Sequence, residues 1–544
     1  MSIRSIERNE IQSRGDPTSQ SLTVDAPRHG TEAVTQEKGL SKRALLNSVA
    51  ATVDFLARSI VEFLLNPFLV GRLGSYLYGA WRVLVSMTGY LWAASGRSAP
   101  VLASVIANRH HSADPVEKRQ TVGSAVVTWV LFLPLLGAIG GLVAWFAPVY
   151  LKSSADTVGT VRATAALLVL DAIVVTLMML PKSVLQGENL GYKRMGLSGA
   201  LLMVQGALMA LAVVMGAGIV GVAAANVAGS VVMGFMFWRV ARKHVDWFGI
   251  QRPTRAMVRR FFGLNWWFTA WKFVMEFLRG GDVVLLGLFA PLELVAVYAL
   301  SKFVPDAISN VLANPLQGIT PGLGAVIGAG EFERAIKLRS EFMAFTWVVV
   351  TAAGATVLLW NESFVSLWVG PKFFPGHIAT LLIVLIAFQF IVFRTDAWVI
   401  DVTLRVATKV LLGIASVIVC LGLAALLVGA MDLGILGIAA GFLGGRALLT
   451  VSYPWIVGRF LGQRPWDQIK GCVRPVLATV AIFALCMSLS YEAFVDSWIQ
   501  LVLVSSATGL VVLAAAAVVG LTGEQRTRFL GRLARIRRQV AGSR

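Results

Sequence analysis

The sequence predicts an all-α, polytopic membrane protein with about 14 transmembrane helices, built as two six-helix lobes around a central cavity plus two extra C-terminal helices. Three observations carry that expectation. Of the 544 residues, 57% are hydrophobic and only 14% are charged, with mean hydropathy +0.73, a balance that soluble chains do not reach. Apolar stretches of the ~20 residues needed to cross a bilayer recur along the chain. Finally, Lys and Arg are divided so unevenly among the intervening loops that one side of the membrane receives most of them.

In chain order, apolar periodicity places helices near 44–70, 77–96, 121–149, 163–181, 195–216, 219–238, 264–290, 294–325, 338–360, 377–400, 408–430, 434–457, 474–491 and 497–521. Residues 1–43 read as a disordered cytosolic tail, polar and without the apolar run of a secretory signal. The first lobe is then 44–238 and the cytosolic linker loop 239–263. The second lobe is 264–457, followed by two additional helices at 474–521 and a basic cytosolic tail at 522–544. With both termini cytosolic, 37 of the 48 Lys and Arg lie inside, four outside and seven within spans. The net charge of +19 thus follows membrane orientation, and no nucleic acid is expected as a partner.

Several chemistries are excluded. No loop is large enough to fold as a separate catalytic domain, and no phosphate-binding Gly loop or His/Cys metal spacing is present. Cys420, Cys472 and Cys486 have no redox or metal neighbour. The chain reads as a non-enzyme without a cofactor. Any uphill work must draw on an ion gradient or on the fate of the substrate.

The segment at 264–290, LNWWFTAWKFVMEFLRGGDVVLLGLFA, is long enough to span yet carries Lys272, Glu276, Arg279 and Asp282. Each such charge costs roughly 2.5–3.5 kcal/mol at mid-membrane. Lys272, Glu276 and Arg279 fall within an arc of roughly 60° on a helix, so that face looks at protein or at a polar space. In the first span Asp54, Arg58 and Glu62 run at i, i+4 and i+8. Two readings stand: neutralising pairs within each helix, or two stripes lining a cavity between the lobes. Asp171, Asp306, Arg394, Asp396 and Arg446 are further intramembrane charges, and acids and bases nearly match in number. The eighth span is interrupted by Pro305, Asn314, Pro315, Gly318, Pro321, Gly322 and Gly324, which fits either a static kink or a bending element.

An internal repeat is also visible. KRALLN at 42–47 is echoed by RRFFGLN at 259–265, and LGSYLYGAW at 73–81 parallels LFAPLELVAVY at 288–298. In both copies a small turn leads into a helix with an aromatic residue and then a cation, Arg82 or Lys302. The offset is about 217 residues, or six spans. Because six is even, the lobes share one orientation and are related by an axis along the membrane normal.

The segments KRALLN…NPFLVGRLGSYLYGAW, SMTGYLWAA and GDVVLLGLFAPLELVAVYALS resemble bacterial polysaccharide flippases of the multidrug/oligosaccharidyl-lipid/polysaccharide exporter superfamily. The resemblance covers roughly residues 42–460. One departure is Arg97, in ASGRSAPVLA, where many relatives carry an acidic, glycine-containing segment. The resemblance implies an inner-membrane protein that moves an undecaprenyl-diphosphate-linked oligosaccharide from the cytoplasmic to the periplasmic leaflet, for O-antigen or exopolysaccharide synthesis. Its implied partners are the lipid-linked oligosaccharide, the bilayer, a polysaccharide polymerase and glycosyltransferases. Arg58, Arg82, Lys272, Arg279 and Lys302 would hold the diphosphate. Asp54, Glu62, Glu276 and Asp282 would orient those cations or bind a coupled H+ or Na+. The competing expectations are an ion-coupled multidrug/cation antiporter and a flippase for the peptidoglycan lipid precursor.

Overall fold

The computed structural model describes residues 30–94, 98–108, 114–263, 266–402, 406–523 and 525–527. These residues are helical, with no strand among them. The helices are α1 (Gly30–Ala94), α2 (Ser98–Asn108), α3 (Pro115–Tyr150), α4 (Val158–Met178), α5 (Leu180–Gly187), α6 (Leu197–Val214), α7 (Gly218–His244) and α8 (Arg255–Gly263). They continue with α9 (Trp266–Phe289), α10 (Leu292–Ser301), α11 (Phe303–Gly328), α12 (Phe332–Trp368), α13 (His377–Val402), α14 (Val406–Ala424), α15 (Gly434–Leu461), α16 (Pro465–Leu489) and α17 (Trp498–Gly520). Every stretch expected to be helical falls on one of these elements. Two expectations lie mainly or wholly outside the described residues: the basic C-terminal tail and the departure at Arg97. Of the N-terminal tail, residues 30–43 are described, and they are helical.

α1 is two helices in one. At Gly74 the backbone turns to φ 80, ψ 167, a region that only glycine enters freely. A first arm (30–73) and a second arm (75–94) result, matching the first two expected spans. Among the described residues nine helical segments are long and apolar enough to cross a membrane, and α10 with α11, bent by 45°, makes a tenth. The sequence-based figure of about 14 is larger because it also includes both arms of α1, α9 and α16. The first three carry many polar and charged residues, and the apolar part of α16 is short.

The helices pack as two groups. α4 lies against α3 and α7, and α6 against α7 and the first arm of α1; α13 and α14 both lie against α15, and α9 against α14. α16 and α17 lean on α12. The second arm of α1 crosses to rest on α9 and α10. A Cβ added at Gly79 of this arm would fall 2.0 Å from the Leu292 backbone carbonyl oxygen on α10, so the close crossing needs glycine there.

A second junction joins the first arm to α12. The Trp368 ring stacks on Phe63 with centroids 5.6 Å apart, and Trp368 Nε1 donates to the Phe63 carbonyl at 2.8 Å. The residue four positions after Phe63 is Pro67, which has no N–H to give. That carbonyl is therefore left without its helical donor, and the indole of another helix supplies one. Phe303, Phe364 and Trp498 surround the same rings, so α17 reaches this junction as well.

Trp368→Phe keeps the ring and removes the donor, and should lower stability in detergent unfolding by about 1–3 kcal/mol, the cost of an unsatisfied buried carbonyl. Adding Pro67→Ala, which restores a helical N–H, should recover most of that loss. Equal loss in the single and double variants would contradict this account.

Candidate functional site

The charged face of α9 divides between two destinations. Lys272 and Glu276 form an i, i+4 ion pair at 3.2 Å. The Lys272 ammonium lies 5.6 Å from the Trp92 ring of the second arm of α1, so the pair belongs to the junction between the two groups. One turn further on, Arg279 points to α11 and donates from Nη2 to Asn310 Oδ1 at 2.8 Å. Asp282 is fully buried. It accepts from Tyr298 Oη at 2.7 Å, from Lys302 Nζ at 2.5 Å and from the Val283 N–H at 2.9 Å.

Lys302 owes its position to a break in the backbone. It is the residue between α10 and α11, and its own N–H still bonds to the Tyr298 carbonyl. From the 45° bend its ammonium reaches back to α9, donating to the Arg279 carbonyl at 3.0 Å and lying 3.9 Å from Asp306. A buried ion pair of this kind is tolerated when nearly every lone pair and proton finds a partner.

Beside this cluster opens a small, partly open pocket. Arg279, Lys302, Asp306, Ser309 and Asn310 line one wall, and Ile386, Ala387, Phe390 and Arg446 the other. Arg446 is only 1% exposed. Its guanidinium sits between the Phe390 and Phe442 rings at 5.5 and 5.4 Å, and Nη1 donates to the Ile386 carbonyl at 3.1 Å. Its Nε is buried without a hydrogen-bond partner. Such stacking suits a weakly hydrated guanidinium.

The first group repeats part of this arrangement. Tyr78 Oη donates to Asn66 Oδ1 at 3.0 Å, as Tyr298 does to Asp282, and Arg82 follows Tyr78 by four positions as Lys302 follows Tyr298. The repeat read from sequence thus extends to a hydrogen bond. The copies differ in charge, because Asn66 is neutral where Asp282 is acidic. Arg82 consequently has no acid at that place, and its Nε is buried without a partner. It lies within electrostatic reach of Asp306, as do Arg279 and Lys302.

Of the five cations expected from sequence, Arg279 and Lys302 line the pocket and Arg82 stands near it. Arg58 is exposed on the first arm, and Lys272 is held by Glu276. Of the four acids, Asp54 pairs with Arg194, Glu276 with Lys272 and Asp282 with Lys302, while Glu62 is exposed. The intrahelical reading therefore describes Lys272–Glu276, whereas Asp54 reaches across to the turn before α6. Arg446, Asp306, Ser309 and Asn310 were not among the expected site residues. Arg446 was legible as a mid-span cation following Gly444 and Gly445; its aromatic neighbours come partly from another helix, which no local pattern reveals.

Replacing Asp282 by Asn should cost about 3–5 kcal/mol, since it removes the hydrogen-bonded counter-ion of the buried Lys302 and leaves only the more distant Asp306. Pairing Asp282→Leu with Lys302→Met should be far milder. Unfolding in detergent checks both, and a double variant as damaged as the single one would count against the pair as the cause.

An apolar helical bundle holding these ion pairs and this pocket defines a multi-pass membrane protein with an ionic interior. The chain belongs to the family described as "Polysaccharide biosynthesis protein", whose model matches residues 46–324, just over half of its length. It is 22% identical over 298 residues to "Uncharacterized membrane protein EpsK" of Bacillus subtilis (strain 168); the match spans 53% of this chain and 57% of EpsK. The fold is similar to that of the lipid II flippase MurJ in an inward closed conformation, with TM-score 0.62 and 14% identity, covering 87% of this chain and 98% of MurJ. It is similar also to an inward-facing multidrug resistance MATE family transporter of the MOP superfamily. There the TM-score is 0.57 and the identity 15%, covering 75% of this chain and 98% of the transporter.

Proposed function

We propose that this protein is a flippase that carries an undecaprenyl-diphosphate-linked oligosaccharide from the cytoplasmic to the periplasmic leaflet of the inner membrane by alternating access, supplying O-antigen or exopolysaccharide synthesis. One observation carries the reading: a pocket within the membrane-spanning bundle presents three cations, Arg279, Lys302 and Arg446, against one carboxylate, Asp306, in a chain of the polysaccharide biosynthesis family. A diphosphate and its sugars cannot enter hydrocarbon unaided, whereas a polyprenyl tail is soluble there. Charge-assisted donors in a pocket of low dielectric offer the diphosphate what it loses from water. Asp282 neutralises Lys302, so Arg279 and Arg446 are the principal phosphate contacts, with Arg82 approaching from the first group.

An antiporter for cationic drugs fits less well, because a cationic substrate requires acids free of basic partners at its site, and the acids at the pocket, Asp282 and Asp306, lie against Lys302, while the unpaired Asp171 is not part of the pocket lining. A flippase for the peptidoglycan lipid precursor would use the same phosphate chemistry, so the two readings separate only by which lipid accumulates. With both termini cytoplasmic, the Phe63–Trp368 junction lies at the periplasmic end, and opening it is the step that releases the glycan. The work is drawn from a gradient of H+ or Na+, and the polymerase and glycosyltransferases of the pathway are its functional partners.

Deletion of the gene should accumulate undecaprenyl-linked glycan on the cytoplasmic leaflet, detected by lipid extraction and leaflet-selective labelling. Accumulation of the peptidoglycan precursor alone would overturn the assignment. Arg279→Ala and Arg446→Gln should each lower surface polysaccharide about tenfold or more with protein levels maintained, as expected for losing a charge-assisted hydrogen bond of about 1.5–3 kcal/mol. Arg58→Ala should be much milder, and equal effects at all three positions would remove the pocket from the mechanism.

A further inference from the structure

Asp171 stands apart from every ionic group described above. It lies on α4, within a membrane-spanning segment. Asn226 of α7 donates from Nδ2 to Asp171 Oδ2 at 2.8 Å. Gln205 of α6 in turn donates to Asn226 Oδ1 at 2.8 Å and to the Asn226 carbonyl at 3.2 Å, which fixes the orientation of the amide. Ser230, one turn beyond Asn226, is a further hydrogen-bonding neighbour of the carboxyl. The other carboxylate oxygen, Oδ1, is buried with no hydrogen-bond partner.

The partners of Asp171 are thus neutral: Asn226 and Ser230 both stand on α7, and Gln205 of α6 holds Asn226 from behind. Charged groups with described side chains are Arg162 of α4 itself and, on the elements against it, Glu117, Lys118 and Arg119 of α3, Lys182 of α5, Arg239, Arg242 and Lys243 of α7, and Asp54, Arg58, Glu62, Arg72 and Arg82 of α1. His244 is the titratable group at the end of α7. Among the described residues none of these forms an ion pair with Asp171. Lys118 is taken by Glu188 at 2.8 Å, and Asp54 by Arg194. An ionised carboxylate within a membrane is retained when it meets a counter-charge or serves a purpose. Here the Asn226 amide holds one oxygen while the second is buried without a hydrogen-bond partner.

We infer that Asp171 is a proton-binding site: Oδ1 takes a proton from water and returns it, within the cage formed by Asn226, Gln205 and Ser230. The proton adds to a lone pair of the carboxylate, leaving a neutral acid, and no other bond changes. The same residues orient Oδ2, so which oxygen is protonated is fixed by the fold. Together with the flippase reading, this gives the first group of helices a coupling proton at a residue distinct from Asp54, Glu62, Glu276 and Asp282. That extension rests on the proposed function, whereas proton binding itself does not.

Infrared difference spectroscopy of the full chain in lipid nanodiscs, between two pH values and without substrate, tests proton binding alone. The expected result is a protonated-carboxyl band that changes with pH, shifts when aspartate is carbon-13 labelled, and is absent in Asp171→Asn. Asp171→Glu should keep a pH-dependent band that no longer responds to the aspartate label, which covers the case of a poorly folded Asn variant. A spectrum unchanged by Asp171→Asn would overturn the proposal. So would a signal that follows Na+ concentration at constant pH, which would make this an alkali-cation site.

Discussion

Charge can be carried into the interior of a membrane protein only if its partners travel with it, and in this chain that requirement is met most completely by Asp282, Lys302 and Tyr298. An isolated ion there would cost several kcal/mol even after relaxation. The carboxylate is consequently saturated, by an ammonium, a phenol and a backbone N–H. Satisfying it fixes much else. The ammonium can reach α9 because α10 and α11 are bent at Lys302, and the bend orients the wall of the pocket that carries Asp306, Ser309 and Asn310.

The same requirement explains the ends of the bundle. Lys118 with Glu188, Arg194 with Asp54, Arg339 with Asp396 and Lys409 with Asp401 each tie neighbouring elements of one group together. Arg339 also donates to Gln468 of α16 at 3.0 Å, so the additional helices share in the network. Contacts between the groups are of another kind. Phe63 and Trp368 meet through stacked rings and one indole N–H, and Gly79 admits the Leu292 backbone by having no side chain. Ionic ties within groups and mostly aromatic or small-residue contacts between them give each group internal cohesion and leave the junction cheaper to open.

Much of the architecture was legible from composition and from the period of the apolar residues, because a membrane span must bury its own backbone polar groups as helix. The break at Gly74 and the turn at Gly216 and Gly218 follow from residues that tolerate positive φ. The candidate site was legible in part. The charges within 264–290 drew attention to Arg279, which lines the pocket, and to Asp282, which is fully buried, and the repeat marked Arg82 and Lys302 as equivalent. What sequence spacing could not supply was the division of those charges, with Lys272 and Glu276 turned to the second arm of α1 and Arg279 turned to Asn310. Nor could it supply the pairing of Asp54 with Arg194, some 140 positions away. Such partners are chosen by helix packing, which a one-dimensional period does not encode.

The difference between the two copies of the repeat bears directly on how one fold can present an anion site. In the second group the acid at Asp282 fixes Lys302 and reduces its net charge. In the first group Asn66 leaves Arg82 with no acid in that place. Were both copies acidic, each cation would be neutralised by its own helix neighbour, and Arg279 and Arg446 would face Asp306 alone. Were both neutral, two unpaired cations would stand close together within the bundle, each with its desolvation cost and their mutual repulsion. One acidic and one neutral copy keeps the bundle stable while leaving a positive balance where the groups meet. That balance depends on the proximity of Arg82 to Asp306, and so on the second arm of α1 staying against α9 and α10. Separation of the two groups would therefore weaken the hold on an anion at the same moment as it opened a way out.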